Sequence, residues 1–469
     1  MRTQIFFAST LYGAATLAAA LDADRFAPAE RRLLLVSNNA ANPETSPSLD
    51  AMPGFARLRT RFDGVLSWNE TIRPFHPGGW SPRADDVPLW ERHLRLLWDL
   101  GDGPEDEVEL VVESLQVDPA LALARLFPDA PLTVYADGLM SYGPTRNKLD
   151  PLVGSRVVRL LHLDLVPGLT PLLLSEFGVP PEVVPDEAFL AVLSELAEDV
   201  PASVAAAPRG GALLLGQYLS ALGILDTEEE ERLHLRMLRG AAARGHREIV
   251  FKPHPVAPAR FSRALEKEAG ELGVELTVLA APVLAEVLYE RMRPALVVGC
   301  FSTALLTASA LYGLPVARTG TELLLERVTP YENSNRIPVT LVDAALPDLG
   351  APDAPDGPDA SDGRNGRNGQ GGSGSPGGFV APSVPELTAL TRAVGFCMQP
   401  RIYPELRQEA ERYLAAHLTP RTRRYFKRRR LTSLALPGAV PQQFAFVRRS
   451  PTVRRVARRA RALKRAALG

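Results

Sequence analysis

Three short stretches combine residue types that suit group transfer. The first is Lys252-Pro253-His254-Pro255, which closes a β-branched run. Two prolines fix φ on either side of one histidine and stop the strand from continuing. The imidazole is therefore aimed, with a cation two residues before it. A Lys/His pair at a strand end suits an anionic group such as a phosphate. The same residues also read as a proline-rich turn with a surface histidine. The second stretch is Tyr135-Ala136-Asp137-Gly138. Gly138 permits a tight turn beside the Asp137 carboxylate, which is placed to act as a general base. An ordinary Asp-Gly turn is the plainer reading. The third is Gly299-Cys-Phe-Ser302-Thr303-Ala304, where an apolar run gives way to two hydroxyl residues and a helix start. Ser302 and Thr303 are good N-cap residues, and a helix N-terminus also holds phosphate.

These stretches need strand ends to carry them, and the surrounding sequence supplies the strands. Apolar runs at 3–8, 32–37, 108–113, 132–136 and 157–163 alternate with helical patterns, including 11–21, 89–100 and 119–127. A second series follows, with strands at 212–216, 248–252, 275–279, 295–299 and 315–318 and helices between them. Such βα alternation predicts two parallel, doubly wound sheets, with ligands bound in the crevice at the carboxyl ends of the strands. The expected organisation is an N-terminal domain over 1–195 and a second α/β domain over 205–345. A disordered Gly/Pro/Asp-rich insert is expected over 346–381, C-terminal helices over 382–418 and a basic tail over 419–469. Ser383-Val-Pro-Glu386 has the form of a capping box opening the first of those helices.

Composition narrows the function. The 469 residues are 46% hydrophobic and 23% charged, as in a globular chain of two or three domains. The chain as a whole carries −1, yet 421–469 holds 16 Lys/Arg and no Asp/Glu, which leaves −17 on the rest. An acidic body argues against a nucleic-acid-binding core. In the tail, Val453, Val456, Ala460, Leu463 and Ala467 fall on one helical face among arginines, a pattern suited to an anionic membrane surface. Two cysteines, Cys300 and Cys397, imply no disulfide framework and fit a reducing compartment. The first twenty residues read as strand and helix rather than signal peptide, because Gln4, Ser9, Thr10 and Tyr12 interrupt the apolar stretch. No run is apolar enough for a transmembrane helix. The 7 histidines are too scattered for a metal site, so neither a metal nor another cofactor is expected.

The three motifs, in this order, resemble the bacterial sialyltransferases, and within them the alpha-2,8-polysialyltransferase-like group. The resemblance rests on Ala136-Asp137-Gly138 for an acidic-acidic-Gly motif, on His254-Pro255 and on Ser302-Thr303. The opening Gln4-Ile-Phe-Phe-Ala-Ser-Thr-Leu-Tyr-Gly adds to it. It covers about 1–345. Ala136 departs from the pattern at the first acidic position.

The resemblance implies a GT-B glycosyltransferase: two Rossmann-like domains facing a cleft, plus C-terminal helices. It further implies an inverting, metal-independent enzyme of cell-surface (capsular) polysaccharide synthesis that uses a CMP-activated sialic acid and a glycan acceptor. Asp137 is then the base and His254 the partner of the leaving phosphate. Ser302, Thr303 and Lys252 bind that phosphate, and Gln217 and Tyr218 stand where the nucleotide is read. Apart from the resemblance, the Gly-, Pro- and aromatic-rich loop 69–80, with Asn69, His76 and Trp80, reads either as an acceptor-binding loop or as a structural Ω-loop. Cysteine usage and the basic tail, rather than the resemblance, suggest a cytoplasmic location with peripheral contact at the inner face of the plasma membrane through 421–469. Two other readings stay open: a CDP-polyol phosphotransferase or other GT-B nucleotide-sugar enzyme, and an inactive glycan-binding scaffold, which Ala136 would favour.

Overall fold

The computed structural model describes residues 1–103, 105–136, 138–254, 257–350 and 379–439. Asp137, Pro255, most of the Gly/Pro-rich insert and the 453–468 amphipathic pattern lie outside the described residues.

Among the described residues, twelve strands form two parallel sheets. The first contains β1 (Arg2–Ala8), β2 (Arg31–Val36), β3 (Gly64–Ser67), β4 (Glu107–Glu113), β5 (Leu132–Tyr135), β6 (Val157–His162) and β7 (Pro181–Val183). Their spatial order is β3-β2-β1-β4-β5-β6-β7. The second contains β8 (Ala212–Leu215), β9 (Glu248–Lys252), β10 (Glu275–Val278), β11 (Leu296–Gly299) and β12 (Val316–Arg318), in the order β10-β9-β8-β11-β12. Each order reverses once, between β1 and β4 and between β8 and β11. Those reversals are the switch points where a doubly wound sheet opens a ligand crevice.

The first strand and helix explain why the chain folds this way. Ile5, Phe6 and Phe7 have no exposed surface, because β1 is flanked by β2 and β4 and covered on both faces. Helix Leu11–Asp22 buries its alanines, whose small side chains let it lie between the sheet and helix Asp186–Glu198. Thr10 caps it by accepting a bond from the Gly13 amide at 2.9 Å.

The C-terminal helices bridge the halves. The expected capping box opens helix Val384–Met398: the Glu386 carboxylate accepts from the Ser383 amide at 2.8 Å. Beyond it, the Tyr403 hydroxyl contacts Thr145 Oγ1 at 3.0 Å and Glu176 Oε2 at 2.6 Å, both in the N-terminal half.

One boundary moves. The expected basic tail from 419 does not begin there: Thr422–Tyr425 forms a 3₁₀ turn and Arg428–Ser433 a helix. The reason is apolar content. Tyr425, Phe426, Leu431 and Leu436 are all buried, and they hold Arg430 between them against the body. No helix among the described residues is long and apolar enough to cross a membrane.

Candidate active site

In the second half, the predicted residues line the carboxyl edge of the sheet. Lys252 ends β9, and its carbonyl accepts from the Gly216 amide at 2.9 Å, so the ends of β8 and β9 stay in register. His254 follows, its ring centroid 6.3 Å from that of Tyr218. Gln217 reaches across the switch point: its Oε1 accepts from the Phe301 amide at 3.0 Å. Ser302 then caps helix Thr303–Ala310, accepting from the Ala304 amide. His254, Tyr218, Gln217, Ser302 and Thr303 thus form one row along the strand ends.

A buried carboxylate that sequence reasoning missed fixes this row. Glu230 of helix Thr227–Ala243 has no exposed surface. It accepts from the Leu219 amide at 2.6 Å, the Ser220 amide at 2.9 Å and the Ser220 hydroxyl at 2.6 Å. Three donors compensate its charge and pin the loop that carries Gln217 and Tyr218. Nothing in Thr227-Glu-Glu-Glu-Glu231 singles out this glutamate beforehand.

The electrostatics favour an uncharged His254. Burial of its inner face, followed by the charge of Lys252, holds its pKa below the ordinary value, and Glu230 opposes them in part. Burial also pushes Lys252 down to about 8, against the field of Glu286. Glu286, wholly buried beneath, is pushed up to about 7, also by burial. The Lys252 ammonium lies 3.5 Å from the Ala281 carbonyl. It is turned toward that loop, which the position beside a phosphate expected from sequence did not anticipate.

The two halves meet at Gly138. A Cβ on this residue would stand 2.6 Å from Thr303 Oγ1, closer than any real contact. Its φ of 168° is extended backbone open to any residue. The glycine therefore provides room for Thr303, and the backbone conformation does not demand it. Asp137, the sequence candidate for the base, lies outside the described residues; its flanking residues Ala136 and Gly138 line a small cavity with Ser114, Gln116 and Arg146.

A second missed carboxylate, Glu113, ends β4 opposite Tyr135 in the register. It is 5% exposed and accepts from the Ser9 hydroxyl, while the Tyr135 hydroxyl lies 3.0 Å from its Oε2 and 2.9 Å from the Phe7 carbonyl. This cluster closes the floor of the first switch point, beside the start of helix Leu11–Asp22, whose positive end favours a carboxylate.

The acceptor loop expected from sequence is placed elsewhere. Asn69 Oδ1 accepts from the Asn38 amide at 2.8 Å and its Nδ2 donates to the Asn38 carbonyl at 3.0 Å. His76 Nδ1 accepts from the Gly78 amide at 3.1 Å, and Nε2 lies 2.9 Å from the Ala40 carbonyl. Trp80 packs among Trp68, Phe75 and Trp90. All three hold loops together at the ends of β2 and β3, away from the row around His254.

Two parallel doubly wound sheets joined across a cleft, with a polar row on the facing strand ends, define the GT-B class of glycosyltransferase. The alpha-2,8-polysialyltransferase family profile matches residues 4–321, and the chain belongs to that family. It is a sialyltransferase-like glycosyltransferase, working between a nucleotide-sugar donor and a glycan acceptor.

Solved structures of similar fold are remote in sequence. The GT-B domain of a sialyltransferase from Photobacterium damselae is 11% identical over 73% of this chain and 96% of that one, with a TM-score of 0.37. UDP-GlcNAc 2-epimerase from Methanocaldococcus jannaschii is 12% identical over 68% and 83%, with a TM-score of 0.41. MurG from Acinetobacter baumannii is 12% identical over 74% and 84%, with a TM-score of 0.37. No curated protein matches the sequence.

Proposed function

We propose that the chain transfers a sialic or related nonulosonic acid from its CMP-activated form to a glycan hydroxyl, with inversion and without a metal. The observation that carries this reading is the continuous row from His254 through Tyr218 and Gln217 to Ser302 and Thr303, with Thr303 against Gly138. Transfer requires a base on the acceptor side and hydrogen-bond donors on the leaving phosphate. Asp137 takes the acceptor proton as the oxygen attacks the anomeric carbon. The C–O bond to CMP breaks, and its electron pair goes to the phosphate. His254 donates to that oxygen, together with the Ser302 and Thr303 hydroxyls at the helix start. Tyr218 and Gln217 border the nucleotide. Lys252 contributes its field at a distance.

The test is CMP release from CMP-sialic acid, with the anomeric configuration of the product read by NMR. Turnover that survives chelation and disappears in Asp137→Asn is expected. Turnover of CDP-glycerol in its place, or CMP binding without turnover, overturns the reading.

The Gly138 contact gives a second expectation. In Gly138→Ala the added methyl group meets Thr303 and separates the two halves. A displacement of about 1 Å at the reacting groups costs on the order of 10²-fold in rate. Steady-state assays should therefore show kcat down by one to two orders of magnitude, with a smaller loss of CMP affinity, because Thr303 is only one of the groups assigned to the phosphate.

A further inference from the structure

We infer that Glu286 is a positioning residue of the donor site: it takes up a proton when the donor phosphate binds and passes that change through Thr307 to the helix start that carries Ser302 and Thr303. The inference rests on the transferase reading above, which puts the phosphate at that helix start.

Glu286 stands in the first turn of helix Ala285–Met292 and is buried. It lies between the two parts of the row assigned to the phosphate. On one side is Lys252 at the end of β9, whose charge acts on it. On the other is helix Thr303–Ala310, held by two side chains. The Tyr289 hydroxyl, one turn on from Glu286, donates to the Ala304 carbonyl at 2.9 Å. The Glu286 carboxyl itself has the Thr307 hydroxyl as a hydrogen-bond partner. Helix Asp186–Glu198 also packs against helix Ala285–Met292, and among the described residues it brings no charge to Glu286. Tyr289 and Tyr312, whose rings meet edge to face at 5.5 Å, are the other titratable groups in the field of Glu286.

Thr307 makes this a contact with two states. A hydroxyl has one proton to donate, and here two acceptors compete for it. One is the Thr303 carbonyl, 3.3 Å away. The other is the Glu286 carboxylate. An ionised Glu286 draws the hydroxyl proton to itself. A protonated Glu286 donates to the hydroxyl oxygen, and the hydroxyl proton then goes to Thr303. Protonation therefore fastens the first turn of the helix whose start faces the phosphate.

The charge balance favours protonation on binding. A bound phosphate and an ionised Glu286 are like charges, and Glu286 is shut off from the water that would screen them. Burial already holds this carboxyl near its changeover, at about 7. Without ligand near pH 7.5 it is mostly ionised; with phosphate bound it is the neutral acid, the proton coming from solvent. By linkage, the same proton strengthens phosphate binding.

Difference infrared spectroscopy of the full chain, with and without CMP at pH 7.5, tests this. A phosphate monoester with a second pKa of about 6 is already dianionic there, so CMP exchanges few protons of its own. Binding should add the C=O stretch of a protonated carboxyl, which a carboxylate lacks. The band should be absent in Glu286→Gln and shifted in frequency in Thr307→Val, which has lost the group the acid donates to. CMP affinity should weaken on the order of fivefold between pH 7 and 8 as the carboxylate forms. Glu286→Gln resembles the protonated form, with an N–H to offer Thr307, and should bind CMP at pH 8 at least as tightly as the wild type. A residue with only a structural role would show a loss there. No carboxyl band on binding, a band unchanged in both variants, or a Glu286→Gln affinity weaker by about threefold or more at pH 8 each overturns the proposal. CMP release from CMP-sialic acid, measured on the same samples, judges the transferase reading separately, and failure of CMP to bind overturns both.

Discussion

His254→Ala is expected to lower kcat by about 10²–10³-fold, the usual cost of removing one preorganised donor to a developing negative charge. The fold should be unaffected: the imidazole rim is exposed and the tyrosine beside it is fastened through Glu230, so Tm should stay within about 2 °C. The sign of the pH dependence follows from the depressed pKa. Burial and Lys252 disfavour the imidazolium, so near neutrality the ring is mostly uncharged and acts through an N–H bond. The rate should therefore fall no more than about twofold between pH 7 and 8, the loss coming from Lys252 with its pKa of about 8, and His254→Asn, which keeps an N–H donor, should retain more activity than His254→Ala. A wild-type kcat that falls tenfold over that interval would identify the imidazolium as the active form. Near-normal turnover in His254→Ala would remove His254 from the mechanism altogether.

The sequence exposes the parts of this fold whose signal is local. Strands β1, β2, β4, β8, β9 and β11 each hold at least three consecutive buried apolar residues, the pattern of parallel strands covered on both faces. The two missed strands break that rule. β3 is four half-buried residues bounded by Gly64 and Ser67, and β7 is an edge strand that begins with Pro181 and is largely exposed. The site divides in the same way. Lys252-Pro-His254 and Ser302-Thr303 are visible because proline and cap chemistry act on neighbouring residues.

Glu113 and Glu230 are invisible because long-range partners give them meaning. Glu113 meets Ser9 across 104 residues, and Glu230 looks like any other glutamate in an acidic first turn. Asn69 and His76 fail in the opposite direction. They have the residue types of a binding loop, but their polar groups are taken up by backbone, and the exposed Phe75 beside them is what the loop presents.

Truncation after Arg421 should yield no cooperative thermal transition, whereas truncation after Ala439 should melt within about 2 °C of the full chain. Counting charge alone, 421–469 is one basic tail; the packing divides it. Phe426, Leu431 and Leu436 are at most 4% exposed, and each such side chain contributes about 1.5–3 kcal/mol. Together that is on the order of 5–9 kcal/mol, set against a total stability of about 5–15 kcal/mol for a folded domain. The polar losses add to it. Tyr425 donates to Asp343 at 2.8 Å, and Asp343, fully buried, also pairs with Arg318 at 3.1 Å. Arg430 donates to the carbonyls of Cys397 at 2.6 Å and Met398 at 3.0 Å and pairs with Glu332 at 2.8 Å. Removing 422–439 leaves a buried carboxylate and a helix C-terminus without these partners. Residues 440–469 carry nine of the 16 basic residues of 421–469, and every contact named above is made within 1–439. The 1–439 chain should therefore keep its fold and its CMP-releasing activity and lose sedimentation with anionic phosphatidylserine vesicles. Undiminished sedimentation of that truncated chain would place any lipid contact in the folded body, and a normal melt of the 1–421 chain would show that the 422–439 packing contributes little to stability.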